Sequence, residues 1–471
     1  MTEPSGTFSD NLSTVHTNTV AAGKPQAHCQ IEGQAWARPY FKIVIIAFAL
    51  NVISAALFIG LVNRPVYDDK YNMRDVQLYA HNGLSVATAL SHQNPPGPTS
   101  FLWMAAGVRL LRGGELRDAR IANLISWVLF FVGILVGANY GSFPQIWYGA
   151  LLAALVFPHT VMTAATTLTE GPALLFAILG ALIWIEAASR RTIIASSFSL
   201  LILAGFSMGI AVSCRQYYLA LLPAAALFGL FRLRGQGTQQ KFLRLLGTVL
   251  SLSVASVPVI LLIGVWRGIT SPDAATGTGV SLPDWKVYAD LNLFRPTVAA
   301  FYSCFYLVPL TFPAVWRVRP PARWLGLLVA SIAGIVAACL GGSLLQPGPL
   351  RAFIWMGSRL PGGKFILLGG IAALTVYNAI AIGLVLWEKR HSLLSCPPVI
   401  FALLTVVFFI VEQLGVGGNV PFYDRYLLQI APFLGIIAFS LIPRLGFARL
   451  LSLAGMNLVG HVMLWSHVFD R

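Results

Sequence analysis

Runs of apolar residues long enough to cross a lipid bilayer recur from residue 41 to the end of the chain, leaving no room for a water-soluble domain of ordinary size. A membrane-spanning helix needs roughly 20 such residues, because lipid satisfies none of the backbone's hydrogen-bonding groups. Composition agrees: 57% of the 471 residues are hydrophobic and 10% are charged, where soluble proteins carry about 25%. The fold class is therefore an all-α polytopic membrane protein.

The opening of the chain is different. Residues 1–40 are rich in Ser, Thr, Gly, Ala and Pro and read as a disordered cytoplasmic tail, followed by a single transmembrane domain over 41–471. The tail lacks the basic start and apolar stretch of a cleavable signal, so the first span reads as an uncleaved anchor. Thirteen spans are expected, near 42–62, 118–138, 147–165, 171–188, 193–213, 217–231, 246–266, 297–315, 324–343, 365–387, 394–413, 426–442 and 450–467.

Charge sets the orientation. Arg190 and Arg191; Arg232, Arg234, Lys241 and Arg244; Arg317, Arg319 and Arg323; Lys389 and Arg390; and Arg444 and Arg449 fall in short loops on one face, joined by Lys24, Arg38 and Lys42. That face carries half of the 32 Lys and Arg, but in short loops near span ends, where the positive-inside rule counts them. The expected topology is N-inside and C-outside, with extracytoplasmic loops near 63–117, 267–296, 344–364 and 414–425. Polar loops concentrated on one face suit a membrane enzyme. The paired halves of many secondary transporters have no counterpart in this sequence.

Other classes fall away. The five cysteines are scattered, without CxxC spacing, and outline no disulfide framework. A net charge of +15 with no basic-aromatic soluble module points to anionic headgroups or phosphate-bearing substrates, and excludes nucleic acid.

The first outer loop holds the densest acidic signal, Asp68, Asp69 and Asp75. Residues 75–92 carry Val76, Leu78, Tyr79, Val86, Ala87 and Leu90 at helical spacing, too polar to span, and read as an interfacial helix with Asp75 at its N-terminal end. Asn94-Pro95-Pro96-Gly97-Pro98 forces a turn, and 99–112 makes a second interfacial helix with Trp103 suited to the boundary.

Several short motifs come in a telling order: Asp75-Val76-Gln77-Leu78-Tyr79-Ala80, Pro95-Pro96-Gly97, Arg117-Asp118-Ala119-Arg120-Ile121-Ala122-Asn123, Thr169-Glu170-Gly171-Pro172, Arg215-Gln216-Tyr217 and Tyr423-Asp424-Arg425-Tyr426-Leu427. In order and spacing the chain resembles the GT-C superfamily of integral-membrane glycosyltransferases, most closely the protein O-mannosyltransferase and lipid A aminoarabinose transferase branch. The Arg-Gln pair is also similar to the dolichol-phosphoglucose-dependent glucosyltransferases of that superfamily. The resemblance implies a polyprenyl-phosphate-linked sugar donor, transfer at the extracytoplasmic face to a lipid, glycan or protein acceptor, and a first-loop carboxylate at Asp75. Relatives carry an acidic pair there, whereas Val76 follows Asp75; the pair Asp68-Asp69 keeps the assignment open among the three.

Transfer from such a donor needs a base, cations for the departing phosphate and a pocket that excludes water. Asp75 is the first candidate for the base, set against a simple helix cap. Glu170, a carboxylate at a span's edge, is either a partner in the site or a favourable helix start. Arg215 and Arg425 present planar forks suited to phosphate, against snorkelling for Arg215 and pairing with Asp424 for Arg425. Arg359 and Lys364 flank the flexible Leu360-Pro361-Gly362-Gly363 and are weaker phosphate candidates. Gln216, Tyr217, Tyr79, Tyr423 and Asp424 are supporting candidates. His81, His92 and His159, with Asp75 and Glu170, are donor types for a divalent metal, but no HxxxH or HExxH spacing groups them, so they read as ordinary polar side chains. Asp284, Lys286 and Asp290 are placed as possible acceptor contacts.

A transporter or flippase of lipid-linked saccharides is the alternative; it would need polar residues through the bilayer depth, where spans such as 147–165 offer mostly Ser and Thr. No outer loop carries an Asn-X-Ser/Thr triplet, which favours a bacterial inner membrane over the endoplasmic reticulum.

Overall fold

The computed structural model describes residues 33–190, 195–234, 236–268, 271–272, 294–312, 320–340, 359, 361–414, 424–442 and 445–469. The tail, and Asp284, Lys286 and Asp290 with it, lie outside them. Among the described residues there is no strand; the chain is a bundle of helices.

Eight helices are long and apolar enough to cross a membrane: Tyr40–Leu61, Glu115–Tyr140, Glu170–Ser189, Ser196–Cys214, Thr238–Trp266, Ala322–Cys339, Gly363–Glu388 and Phe447–Ser466. Four other expected spans are shorter apolar helices, Pro144–Val156, Gln216–Phe231, Pro397–Glu412 and Ala431–Leu441. Proline accounts for much of this. The expected span 147–165 ends as a helix at Val156 and restarts at Thr160, because Phe157 is extended ahead of Pro158. The 426–442 span opens as a 3-10 turn, Asp424–Gln429, before Pro432 takes up the first turn of an α-helix.

Enclosure varies around the bundle. Of the spanning windows, Glu170–Ser189 is the most enclosed at 72% buried, and Thr238–Trp266 the least at 17%. Small residues let the inner helices touch: a Cβ on Gly205 would lie 2.1 Å from the Ser251 carbonyl oxygen, and one on Gly435 2.5 Å from that of Gly149. Packing of this kind replaces the hydrophobic drive that lipid cannot supply.

The first loop folds into three helices, Asp69–Asn82, Val86–Leu90 and Pro98–Leu111. The first begins six residues earlier than the pattern predicts, so Asp75 stands mid-helix and does not cap it. Asp69 occupies the first turn, where the helix dipole favours an acid, and its Oδ2 accepts the Val66 N–H at 3.0 Å. Gly83, at φ +68°, ends this helix in a conformation that Cβ-bearing residues avoid. Met73, Val76, Tyr79, Phe101, Met104, Ala105 and Ala119 form a small core that fastens the loop to the Glu115–Tyr140 helix. Trp103, expected at the interface, donates instead to the Ala122 carbonyl at 2.8 Å.

Candidate active site

The start of the Asp69–Asn82 helix is tied down by buried polar contacts. Asp69 Oδ2 takes Arg120 Nη2 at 2.6 Å, and Oδ1 takes both the backbone N–H and the hydroxyl of Thr167 at 2.7 Å. Arg120 also holds the carbonyls of Val62 and Arg64. Asn123 donates to Thr163, Thr166 and Leu168 carbonyls that the broken helix leaves open. The 117–123 motif therefore builds the frame of the site.

Beside this frame two arginines come together from opposite ends of the sequence. Arg215 follows the Ala195–Cys214 helix; its Nη2 lies 2.5 Å from Glu170 Oε1 at the head of the enclosed Glu170–Ser189 helix. Arg425 Nη1 lies 2.6 Å from Asp68 Oδ2. Both guanidinium carbons sit against the Tyr426 ring, at 5.8 and 5.7 Å from its centroid. Burial works against the Arg425 charge, but Glu170, Tyr426 and Asp68 outweigh it and raise its pKa. Four buried polar atoms here have no hydrogen-bond partner among the described residues: Glu170 Oε2, Thr169 Oγ1, Tyr218 OH and Arg215 Nε. Unmet polar atoms in a buried place are costly, and a polar ligand satisfies them.

The three first-loop carboxylates differ in what they can do. Asp69 is saturated, as described. Asp75 is fully buried and accepts from Gln93 N, Asn94 N and Asn94 Nδ2, at 3.1, 2.9 and 2.6 Å. Asp68 has a side chain 40% exposed, and its Oδ1 takes no hydrogen bond from a described residue.

The remaining candidates are distributed around this centre. Asp424 does not pair with its neighbour Arg425; its Oδ1 lies 2.9 Å from His159 Nε2 and its Oδ2 accepts the Tyr306 hydroxyl at 3.0 Å. Tyr217 stands 5.0 Å from Tyr426 ring to ring and accepts from Arg295 at 2.8 Å. Gln216 donates to the Pro95 carbonyl at 2.7 Å. Tyr79 is buried beside His92; burial and then the Asp75 charge push its hydroxyl pKa up. His81 is exposed, with Nδ1 on the Gln77 carbonyl. Arg359 is exposed, and Lys364 is half-buried at the head of the Gly363–Glu388 helix. Tyr423 lies outside the described residues.

The donor types for a metal do not gather. Among the described residues no three His, Cys, Asp or Glu side chains converge. Instead His92 faces Asp75, His159 faces Asp424, and Glu170 faces Arg215.

Sequence reasoning missed Thr169 and Tyr218 as participants, and Arg295 as a buried tie to Tyr217 and Gln413. Arg295 had a signal, an arginine at the edge of an apolar run like Arg215; Thr169 stood inside the Thr169-Glu170-Gly171-Pro172 motif and Tyr218 beside Arg215, without either being singled out.

Fold and site together define a polytopic helical membrane protein with a buried, ion-paired polar site at one end of its bundle. No family model matches the sequence, and no curated protein matches it. Among solved structures the chain is similar to ArnT from Cupriavidus metallidurans in the apo state, at 16% identity and a TM-score of 0.38 over 92% of this chain and 78% of that one. It is similar also to ArnT from Cupriavidus metallidurans bound to undecaprenyl phosphate, at 16% identity and a TM-score of 0.39 over 89% and 77%.

Proposed function

We propose that this chain is a glycosyltransferase that moves a sugar from a polyprenyl-phosphate donor to an acceptor hydroxyl, amine or phosphate at the extracytoplasmic membrane face. The observation that carries the reading is the pair Arg215 and Arg425 on one Tyr426 ring, each neutralised by a carboxylate and surrounded by unmet polar atoms. Two guanidiniums this close in a largely enclosed site would be costly without counter-charge, and Glu170 and Asp68 supply it. A phosphate, with more oxygens and a bidentate fit to the guanidinium fork, exchanges for those carboxylates.

The exchange releases what the reaction needs. Asp68, once Arg425 turns to phosphate, becomes the base in this reading, because it alone of the three acids is partly exposed and incompletely hydrogen-bonded. For a hydroxyl acceptor, its oxygen attacks the anomeric carbon, its proton passes to Asp68, and the carbon–oxygen bond to the donor phosphate breaks. The electron pair leaves on the phosphate oxygen, where Arg215 and Arg425 stabilise it. Glu170 Oε2 accepts a hydroxyl of the bound sugar. The basic residues at the opposite end of the bundle support an extracytoplasmic site by the positive-inside rule. A bacterial inner membrane is the proposed location, with the endoplasmic reticulum as the alternative.

The test is sugar release from radiolabelled polyprenyl-phosphate sugars by purified wild type and Asp68→Asn. Turnover of one donor by wild type, lost in the variant, supports the transferase and its base. If wild type turns over none but moves a lipid-linked sugar between leaflets of vesicles, the site belongs to a flippase.

A further inference from the structure

We propose that Asp75 and His92 are positioning residues that act through the Asn94–Gly97 turn to set the place of Arg215. This rests on the reading of Arg215 as a phosphate ligand.

Asp75 grips the start of the turn through the backbone of Gln93 and Asn94 and the Asn94 amide. His92 grips its end: Nε2 lies 2.8 Å from the Pro96 carbonyl, while Nδ1 lies 3.3 Å from Asp75 Oδ2. The imidazole is fully buried, stacked on Trp266 at 5.6 Å and edge-on to Phe101 at 5.0 Å, so it has one orientation available. Pro95 and Pro96 stiffen the segment between the grips.

The turn then holds the chain on both sides of Arg215. Gly97 N donates to the Cys214 carbonyl at 3.1 Å, Thr99 Oγ1 meets Ser213 Oγ at 2.8 Å, and Pro95 O accepts from Gln216 at 2.7 Å. The approach is close enough that a Cβ on residue 97 would lie 1.9 Å from the Ser213 oxygen. Ser100 Oγ donates to Thr169 O at 3.1 Å, so the same strap fixes the head of the Glu170 helix. Residues 213, 214 and 216 are thus pinned individually, and Arg215 can reach only where its pinned backbone aims it. Neither Asp75 nor His92 hydrogen-bonds Arg215, Glu170 or Arg425; their influence is indirect. A phosphate ligand misplaced by a single ångström loses much of its worth.

The experiment compares wild type, Asp75→Asn, Arg215→Gln and the double variant in detergent. It measures affinity for farnesyl phosphate and hydrogen exchange over 211–220. Positioning predicts that Asp75→Asn costs about tenfold in affinity in the wild-type background and nothing in the Arg215→Gln background, since coupled residues are non-additive. It also predicts faster exchange across 213–218 in both variants that carry Asp75→Asn, and not in Arg215→Gln. Equal losses in both backgrounds, or unchanged exchange, overturn the proposal. If Asp75→Asn does not fold, His92→Gln, which keeps an N–H for Pro96 O, enters the same cycle. If wild type does not bind farnesyl phosphate, the phosphate reading falls and the exchange measurement alone decides whether the strap orders 213–218.

Discussion

The two ends of the bundle use basic side chains in opposite ways. At the end away from the site, cations close helix C-termini: Arg244 and Arg232 bond the carbonyls of Ala188, Arg190 and Ser189, Lys389 that of Leu441, Arg390 that of Trp387 and Arg449 that of Ile442. These carbonyls lie at or just past helix C-termini, where the dipole favours positive charge. At the site end, Arg215 and Arg425 take carboxylates instead, while Arg120 takes both a carboxylate and the Val62 and Arg64 carbonyls. A carbonyl cap belongs to the backbone and cannot leave. A carboxylate on a side chain can be exchanged for another anion, and that separates a structural cation from one available to a ligand.

Within the site end the same distinction divides the three pairs, and substitution sharpens it. The largest effect is expected for Asp69→Asn: breaking its buried pair with Arg120 should cost about 3–5 kcal/mol, read as a fall in the thermal unfolding midpoint. Arg215→Ala comes next. It should lower turnover by about 10²–10³-fold, the scale of one lost transition-state donor, while a well-folded protein remains by size-exclusion chromatography. Arg244→Ala at the opposite end should do the reverse, reducing stability by about 1.5–3 kcal/mol and leaving turnover per folded molecule unchanged. Were Arg244→Ala to abolish turnover in folded protein, the contrast between the two ends would collapse.

The smallest effect concerns pH. Burial lowers the His92 pKa below its ordinary 6.5, and the Asp75 charge only partly opposes this. A base depressed in the fold binds fewer protons there than in the unfolded chain. Its contribution is therefore complete above pH 6.5 and is lost as pH falls through the folded value. Unfolding temperatures of wild type should drop below pH 6.5 more than those of His92→Gln; identical profiles would remove His92 from the strap.

Much of this was legible in the sequence, for definite reasons. Apolar run length is set by bilayer thickness, so eight of the thirteen expected spans meet helices long enough to cross a membrane and four more meet shorter apolar helices. Arg215, Glu170 and Arg425 stood out in the sequence because a charge beside an apolar run is expensive and needs a reason, and the fold brings the three close together. What stayed hidden depended on three-dimensional closure. That Asp75 lies mid-helix followed from where the helix begins, and a two-residue acidic start is a weak signal against an amphipathic pattern. Asp424 turning to His159 instead of Arg425 depended on a helix broken at Pro158, some 265 residues away. Tyr218 and Thr169 carry no charge, so although Thr169 stands in the Thr169-Glu170-Gly171-Pro172 motif, nothing in the sequence marked either as facing the arginines.

The ion pairs around Tyr426 also fix a timetable for synthesis. Glu170 and Arg215 are 45 residues apart, whereas Asp68 must wait for Arg425, 357 residues later. At about 5–20 residues per second, the Glu170–Arg215 pair is complete within seconds of Glu170, and the Asp68–Arg425 pair only once residue 425 has been made. Through most of that interval Asp68 has no Arg425 to meet and the first loop no final clasp. A nascent chain stopped anywhere from residue 215 to residue 424 holds one arginine of the two, however many of its helices are already in the membrane.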